Sequence, residues 1–290
     1  MDFNHRNKIF PPDLGLGGRN NSAVDLGLVS VLCLDERVSG VSLRKISEYC
    51  DRLLKVDEIE DWSGAVNGLQ VENRIGVSHV VAAVDGSLAT VRKAVSLGAD
   101  LMIVHHGLFW SSKQPWVGRN YELMELLVQS GLALYSSHLP LDVHPRFGNN
   151  VLLAKALGLK TLEPFFFDRG RNLGVKAKTR WSVKALVERM TTTLGHPPVV
   201  LSGGGDQCRA VGIVTGGAGA ELKIAAAEGV DTFITGEGPH WTHALAEDLG
   251  INVIYGGHYA TETFGVRALS EHLAKRFSLK CSFVDHPTGL

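Results

Sequence analysis

The chain is poor in the features that mark several broad protein classes. Its 290 residues include four cysteines, Cys33, Cys50, Cys208 and Cys281. These lie far apart and form no C-x-x-C pair, so the spacing supports neither a zinc ribbon nor a disulfide framework. Free thiols in a chain of this size fit a reducing compartment, and a cytoplasmic location is expected. No run of about 18 apolar residues occurs, so no membrane span is expected. The nearest approach to a secretory signal, Val24–Leu34, lies deep in the chain, contains Asp25 and precedes no A-x-A site, so no signal is read there. The formal net charge is −1 with twelve histidines taken as neutral. That implies no basic face and argues against nucleic acid as a partner. The phosphate-binding G-x-x-x-x-G-K-[ST], the zincin H-E-x-x-H and the hydrolase G-x-S-x-G are all missing.

What is present is an ordinary globular composition, 44% hydrophobic and 20% charged, with length for one large domain or two small ones. Residues 1–40, rich in Gly, Asn and Pro, read as a poorly ordered extension. Residues 42–56 read as an amphipathic helix capped by Ser42, with Ile46, Tyr49, Leu53 and Leu54 apolar. "VNGLQV" (Val66–Val71) holds an Asn-Gly turn signal and begins a strand. A strand (Val80–Val84), a glycine turn, a helix (about Leu88–Leu97), a stop at Gly98 and a second strand (Leu101–Val104) then spell a βαβ unit. Its strands are apolar nearly throughout, as in a parallel sheet buried on both faces.

The same order returns later. Shifted by 131 positions without a gap, residues 80–110 meet 211–241 with nine identities, among them Gly86 with Gly217, Asp100 with Asp231 and Trp110 with Trp241. Two copies suggest two related α/β halves and not a solenoid. The first half is placed at 41–160 and the second at 206–290. Residues 161–205 form a connection with structure of its own: a helix capped by Ser182, then a strand, a Gly-rich turn and a strand.

Polar residues gather at corresponding strand ends. His105 and His106 close the second strand of the first half and match Gly236 and Glu237. Further on, each half runs a strand into a histidine with an acid four residues later, His138 with Asp142 and His258 with Glu262. Ligands of open α/β sheets bind outside the carboxyl ends of strands. Neutral imidazoles and carboxylates are ligands for Zn, Fe, Mn, Ni or Co. If the halves pack with these ends facing, His105, His106, Asp142, His258 and Glu262 would converge as a dinuclear site with a bridging carboxylate, each adjacent histidine serving one ion. His138 could ligate, move protons or orient Asp142.

Other candidates are weighed against blander readings. His79, His196, His272 and His286 are expected to be structural. His240 and His243 lie beside the second half's strand end and stay minor candidates, as does Arg146 as a substrate contact. "TGGAGAE" (Thr215–Glu221) reads first as a tight strand-to-helix turn, although it would suit an anion. "HPRFGNN" (His144–Asn150) reads as a turn and helix start that shapes a pocket wall.

The segments "NGLQVE" (Asn67–Glu72), "VHHGLFW" (Val104–Trp110), "SHLPLDVHPRFGNN" (Ser137–Asn150), "TGE" (Thr235–Glu237) and "GGHYATETFGVRALSEHL" (Gly256–Leu273) together resemble the Nif-three-like proteins, also labelled type-two GTP cyclohydrolase-one homologues. The resemblance runs from about Ser42 to the C-terminus. It implies a two-lobed α/β subunit with a metal pair between the lobes. The implied ligands are His105, His106, Asp142, His258 and Glu262, with Glu262 bridging. It implies a ring-shaped homohexamer, a trimer of dimers. One departure is Tyr259, where the family often has a second histidine. The expected function is metal-dependent hydrolysis of a small molecule, with His138 handling protons. The family label points to ring opening of GTP, and no phosphate clamp is evident in the sequence. The alternative is a non-enzymatic metal-binding, metal-delivery or scaffold ring.

Overall fold

The computed structural model of the protein describes residues 40–110 and 115–290. The expected N-terminal extension, the signal-like stretch and Cys33 fall outside the described residues, apart from Gly40.

Helix α1 (Leu43–Leu54) forms where the apolar spacing puts it and buries Ile46, Cys50 and Leu54. Ser42 stands at its N-cap, yet its side chain makes no capping hydrogen bond. The helix is held by burial of its apolar face and not by the serine. Strand β1 (Gly68–Val71) follows, then β2 (His79–Asp85), α2 (Leu88–Ser96), β3 (Leu101–His106), α3 (Arg119–Ser130) and β4 (Ala133–Ser136). Helix α2 starts on a capping box of Ser87 and Thr90, which satisfies orphan N–H groups of its first turn. Helices α4 (Leu139–Asp142) and α5 (Asn149–Leu157) come next.

The hairpin β5 (Glu163–Asp168) and β6 (Arg171–Ser182) leads to α6 (Val183–Leu194), where Ser182 does cap by accepting from the Ala185 N–H. The chain continues through β7 (Val199–Ser202), β8 (Gln207–Ile213), α7 (Leu222–Ala227), β9 (Thr232–Thr235), α8 (Thr242–Leu249) and β10 (Asn252–Tyr255). It ends in the long α9 (His258–Phe277) and β11 (Lys280–Phe283). Among the described residues no helix is long and apolar enough to cross a membrane.

The strands make two sheets, ordered β1-β4-β3-β2-β11 and β5-β6-β8-β9-β10-β7. The shift of 131 that aligns the sequence also aligns the pairing. Val80 stands opposite Leu101 in one sheet and Val211 opposite Thr232 in the other. Strands β1 and β7 take equivalent antiparallel edges, beside β4 and β10. Asp100 and Asp231 are identical for a physical reason. The Asp100 carboxylate accepts from the N–H groups of Ser78 and His79, and Asp231 from those of Arg209 and Ala210. Each carboxylate ties one strand to the loop before the next.

The halves are interleaved along the chain. Residues expected as a connection supply β5, β6 and β7 of the second sheet, while β11 returns to the edge of the first. The helices cross as well. Leu153, Ala154 and Leu157 of α5 pack with Val211, Ile213 and α6. Val266, Leu269 and Leu273 of α9 pack on Val80, Ala82, Ile103 and α1. Each buried Leu, Ile or Val side chain contributes about 1.5–3 kcal/mol, so each sheet depends on a helix that begins beside the other.

If the two aspartates are equivalent braces, Asp100→Ala and Asp231→Ala each lose about 1 kcal/mol, the worth of exposed to half-buried hydrogen bonds to a carboxylate. Urea unfolding of the full chain reads this. A loss confined to one variant would break the equivalence.

Candidate metal centre

His105 and His106 are the last residues of β3, and His138 and His258 start α4 and α9. In all four, the ring Nδ1 faces an oxygen that can only accept. His105 Nδ1 donates to the Ser137 carbonyl at 3.0 Å, and His106 Nδ1 to Asp85 Oδ1 at 2.8 Å. His138 Nδ1 donates to Asp61 Oδ1 and His258 Nδ1 to Glu237 Oε1, both at 2.8 Å. A ring proton fixed on Nδ1 leaves Nε2 as the lone-pair nitrogen, which is how metal-binding imidazoles are oriented.

The Nε2 atoms converge with two buried carboxylates. His105 Nε2 lies 3.4 Å from Asp142 Oδ2 and 3.5 Å from Glu262 Oε1. His106 Nε2 and His258 Nε2 each lie 3.2 Å from Glu262 Oε2. Two atoms bound about 2.1 Å from one ion at tetrahedral to octahedral angles stand about 3.0–3.4 Å apart, so this spacing suits shared ligation. His105 Nε2 and Glu262 Oε2 are buried without a hydrogen-bond partner. Buried polar atoms rarely stay unpaired, and a cation between them would satisfy both. Ligand atoms of His105, His106 and His138 lie within 4.8 Å of one another, as do those of His106, His258 and Glu262. The residues fit a metal, and the two groups overlap at His106.

The charges are locked together. Burial opposes the charge on Glu262, but His105, His258 and His106 outweigh it and hold its carboxyl far below the usual range. Burial likewise opposes a proton on His105, while Asp142 and Glu262 draw one onto it. His258 follows the same pattern, with Glu262 and Glu237 overcoming burial and raising it to about 9. Protons would therefore compete with a metal for these nitrogens, and a metal would have to displace them.

Glycines and asparagines make room for the acids. Gly216 has φ +74°, and a Cβ there would lie 2.2 Å from Glu262 Oε1, so no side chain fits beside the carboxylate. This settles "TGGAGAE" as a turn that admits Glu262; α7 behind it has only six residues. Asn149 Nδ2 donates to Asp142 Oδ1 at 2.8 Å while its Oδ1 accepts from the Gly265 N–H of α9. Asn150 bridges the Asp142 and Leu173 carbonyls and accepts from Thr215. The "GNN" start of α5 thus ties α4, α9 and the second sheet together beside the site.

The structure brings together all six residues singled out for chemistry, His105, His106, His138, Asp142, His258 and Glu262. His79 bonds Ser282 and Gly98, His272 bonds Tyr49, and His286 meets Lys93. His196 is exposed and bonds its neighbouring Pro197 carbonyl. His240 and His243 are exposed, and Arg146 stacks on Phe147, so none of the three joins the centre. Tyr259 turns away: its hydroxyl donates to Asp285 and accepts from the His286 N–H. Sequence reasoning missed the acceptors Asp61 and Asp85. Asp85 ends a strand and carried that signal, whereas Asp61 sits in an irregular loop and carried none. Asn67 was read as a turn residue. It instead accepts from the His138 N–H and donates to Asp61.

The centre opens into a cavity of about 620 Å³, a size suited to a small molecule. Trp62, Trp110, Phe166, Asp168 and Glu221 line it with the site residues. Trp110 packs edge-on against His106 and His138, at centroid distances of 5.1 and 4.7 Å.

Comparison with known proteins agrees with this architecture. The family profile described as Duf34/NIF3 (NGG1p interacting factor 3) matches residues 41–288. A Halobacterium salinarum protein called GTP cyclohydrolase 1 type 2 homolog is 40% identical over 84% of this chain and 97% of its own. A Deinococcus radiodurans protein of the same name is 37% identical over 81% and 94%. The crystal structure of TTHA1606 from Thermus thermophilus is similar at TM-score 0.79 and 40% identity, covering 85% of this chain and 99% of that one. Reduced HcgD from Methanocaldococcus jannaschii is similar at TM-score 0.74 and 26% identity, covering 84% and 97%. A match along nearly the whole described chain makes this protein a member of the Duf34/NIF3 family.

Proposed function

We propose that the chain holds two divalent transition-metal ions per subunit and hydrolyses a small molecule beside them. The observation that carries this reading is the unpartnered pair His105 Nε2 and Glu262 Oε2, buried among imidazoles whose lone pairs all face inward. His105, His106, Asp142, His258 and Glu262 would hold the ions, with Glu262 between them because its two oxygens face different imidazoles. The donor set suits zinc, iron, manganese, nickel or cobalt. Such a pair, when bound, supplies Lewis acidity and lowers the pKa of water. The protein's own contribution is orientation and proton transfer. Asp61 holds the Nδ1 proton of His138, leaving Nε2 to take a proton and return it to a leaving group. The relatives' name, GTP cyclohydrolase 1 type 2 homolog, supports ring-opening hydrolysis as the reaction.

The assembly we propose is a homohexamer, a trimer of dimers, in the cytoplasm. Helix α3 supports self-association because it buries only Leu127 and leaves Tyr121 and Val128 exposed, an apolar face of the kind that partners cover.

Elemental analysis of chelator-free protein tests the centre. We expect about two transition-metal ions per chain, the count of a bridged pair, and loss of both in Glu262→Ala with circular dichroism unchanged. Unchanged metal content in Glu262→Ala and His105→Ala would sink the ligand assignment.

Asp61 gives a pH signature. Burial opposes its charge, yet His138, Asn67 and the Trp62 N–H hold its carboxyl at about 2. A depressed carboxylate stabilises the fold above its unfolded value, near 4, and that contribution fades as pH falls towards the folded value. Asp61→Asn is therefore expected to cost about 1–2 kcal/mol near neutrality, with the difference from wild type vanishing between about pH 4 and 2. A pH-independent difference would mean that Asp61 does not act through its charge.

A further inference from the structure

Every residue of the loop between α1 and β1, residues 55–67, is exposed or half-buried, yet this loop builds the socket of His138. The Asp61 side chain, 5% exposed, accepts from the His138 ring Nδ1 and from the Leu139 N–H, and Asn67 accepts from the His138 N–H at 2.7 Å. The ring and the main chain of His138 are thus both set by the loop. A segment with few buried contacts opens at low cost unless something else holds it. The first half holds the loop's far end, where the Val66 N–H donates to the Phe109 carbonyl. The part around Asp61 is held from the second sheet.

Ile59 packs against the cluster that contains Phe165, Phe166 and Leu173. Arg171 Nη2 donates to the Glu58 carbonyl at 2.7 Å, and the Arg169 guanidinium lies 3.8 Å from the centre of the Trp62 ring, well within cation–π range. Both arginines sit at the tip of the β5–β6 hairpin, where Asp168 pairs with Arg171. Arg169 and Gly170 have φ of +47° and +74°, the two positive angles of a type I′ turn, whose central positions favour Asn, Asp or Gly. An arginine there is strained, and strain of this kind is retained where it places a side chain for use. Nε of Arg169 and Nε of Arg171 are buried with no hydrogen-bond partner among the described residues, a desolvation cost that an arginine directed into solvent does not meet.

We infer that Arg169 and Arg171 are positioning residues for His138: through Trp62 and Glu58 they fix the loop whose Asp61 and Asn67 aim that imidazole. The second half thereby governs a side chain that the first half supplies. As a statement about proton transfer the inference rests on the hydrolase reading. As a statement about the aim of His138 it does not, and its test reads the aim.

Hydrogen–deuterium exchange of the full chain, resolved to single amides by mass spectrometry, tests this in chelator-treated and zinc-loaded protein. Arg169→Asn suits the turn better than arginine does but lifts the cation from Trp62. Arg171→Met keeps the packing and removes the donor. With both changes, the His138 and Leu139 amides, which donate to the loop, are expected to exchange about tenfold faster. The Ser137 amide, bonded to the Val104 carbonyl, is expected to exchange as before. Arg169→Asn and Trp62→Leu break the same contact, so together they are expected to do no more than either alone. Nitrogen NMR of isotope-labelled histidine reads the ring: His138 is expected to keep its proton on Nδ1 in the wild type and to sample both tautomers in the variant with both arginines replaced. Amides of His138 and Leu139 as slow as in the wild type would overturn the proposal. So would acceleration that extends equally to Ser137, additive effects of Arg169→Asn and Trp62→Leu, or a proton still fixed on Nδ1. The amide and ring readings need neither bound zinc nor turnover, so failure of the proposed function is told apart from failure of this one.

Discussion

The carboxylate of Glu262 is 2% exposed, and a charge buried that deeply must be matched on every side. Imidazoles of His105, His106 and His258 surround it, and the glycine turn at Gly216 leaves it space. No single element could build that environment. His105 and His106 come from the first sheet, His258 and Glu262 from the start of a helix that leaves the second. The centre therefore exists only where the two halves meet.

That dependence explains the interleaved chain. If each half were closed on itself, the site would sit at an interface free to open. Instead α9 starts beside β10 and buries its apolar face on the first sheet, and α5 packs in the opposite sense on the second. Opening the site would strip both sheets of a covering helix. Asn149 and Asn150 reinforce this at the polar level, each buried and each bonding elements of both halves. Geometry at the centre is thus held by the same contacts that hold the core.

The parts of this arrangement that repeat were legible in the sequence. Alternating apolar runs and glycine stops announced the βαβ units, and the gap-free shift of 131 carried into strand register because Asp100 and Asp231 brace equivalent turns. That six side chains, His105, His106, His138, Asp142, His258 and Glu262, would gather was legible because histidines and acids at strand ends have no packing reason to be there. What stayed hidden was non-local. The contribution of β5 to β7 to the second sheet and the return of β11 depend on long-range pairing that no local pattern encodes. Asp61 and Asn67 were opaque for the same reason: their partner His138 is more than 70 residues away and their loop has no periodicity. Ser42 shows the converse, a cap signal in sequence that the folded helix does not use.

The orienting acceptors raise a further point about rigidity. Four imidazoles are aimed by four different groups: Asp61 in a loop, Asp85 at the end of β2, the Ser137 carbonyl after β4, and Glu237 after β9. Each acceptor aims one ring, so losing one would free a single imidazole. Losing the packing between the halves frees all of them at once. A ligand that bridges the halves binds only the assembled state, and by mass action it stabilises that state in proportion to the logarithm of its free concentration. In the metal-free protein the Glu262 carboxylate is held ionised by imidazoles that it draws towards protonation, and the same groups would be the ligands of an ion bound there. An ion bound there would add to the stability of the assembled halves without being needed to form them, because the apolar packing of α5 and α9 already joins the two sheets.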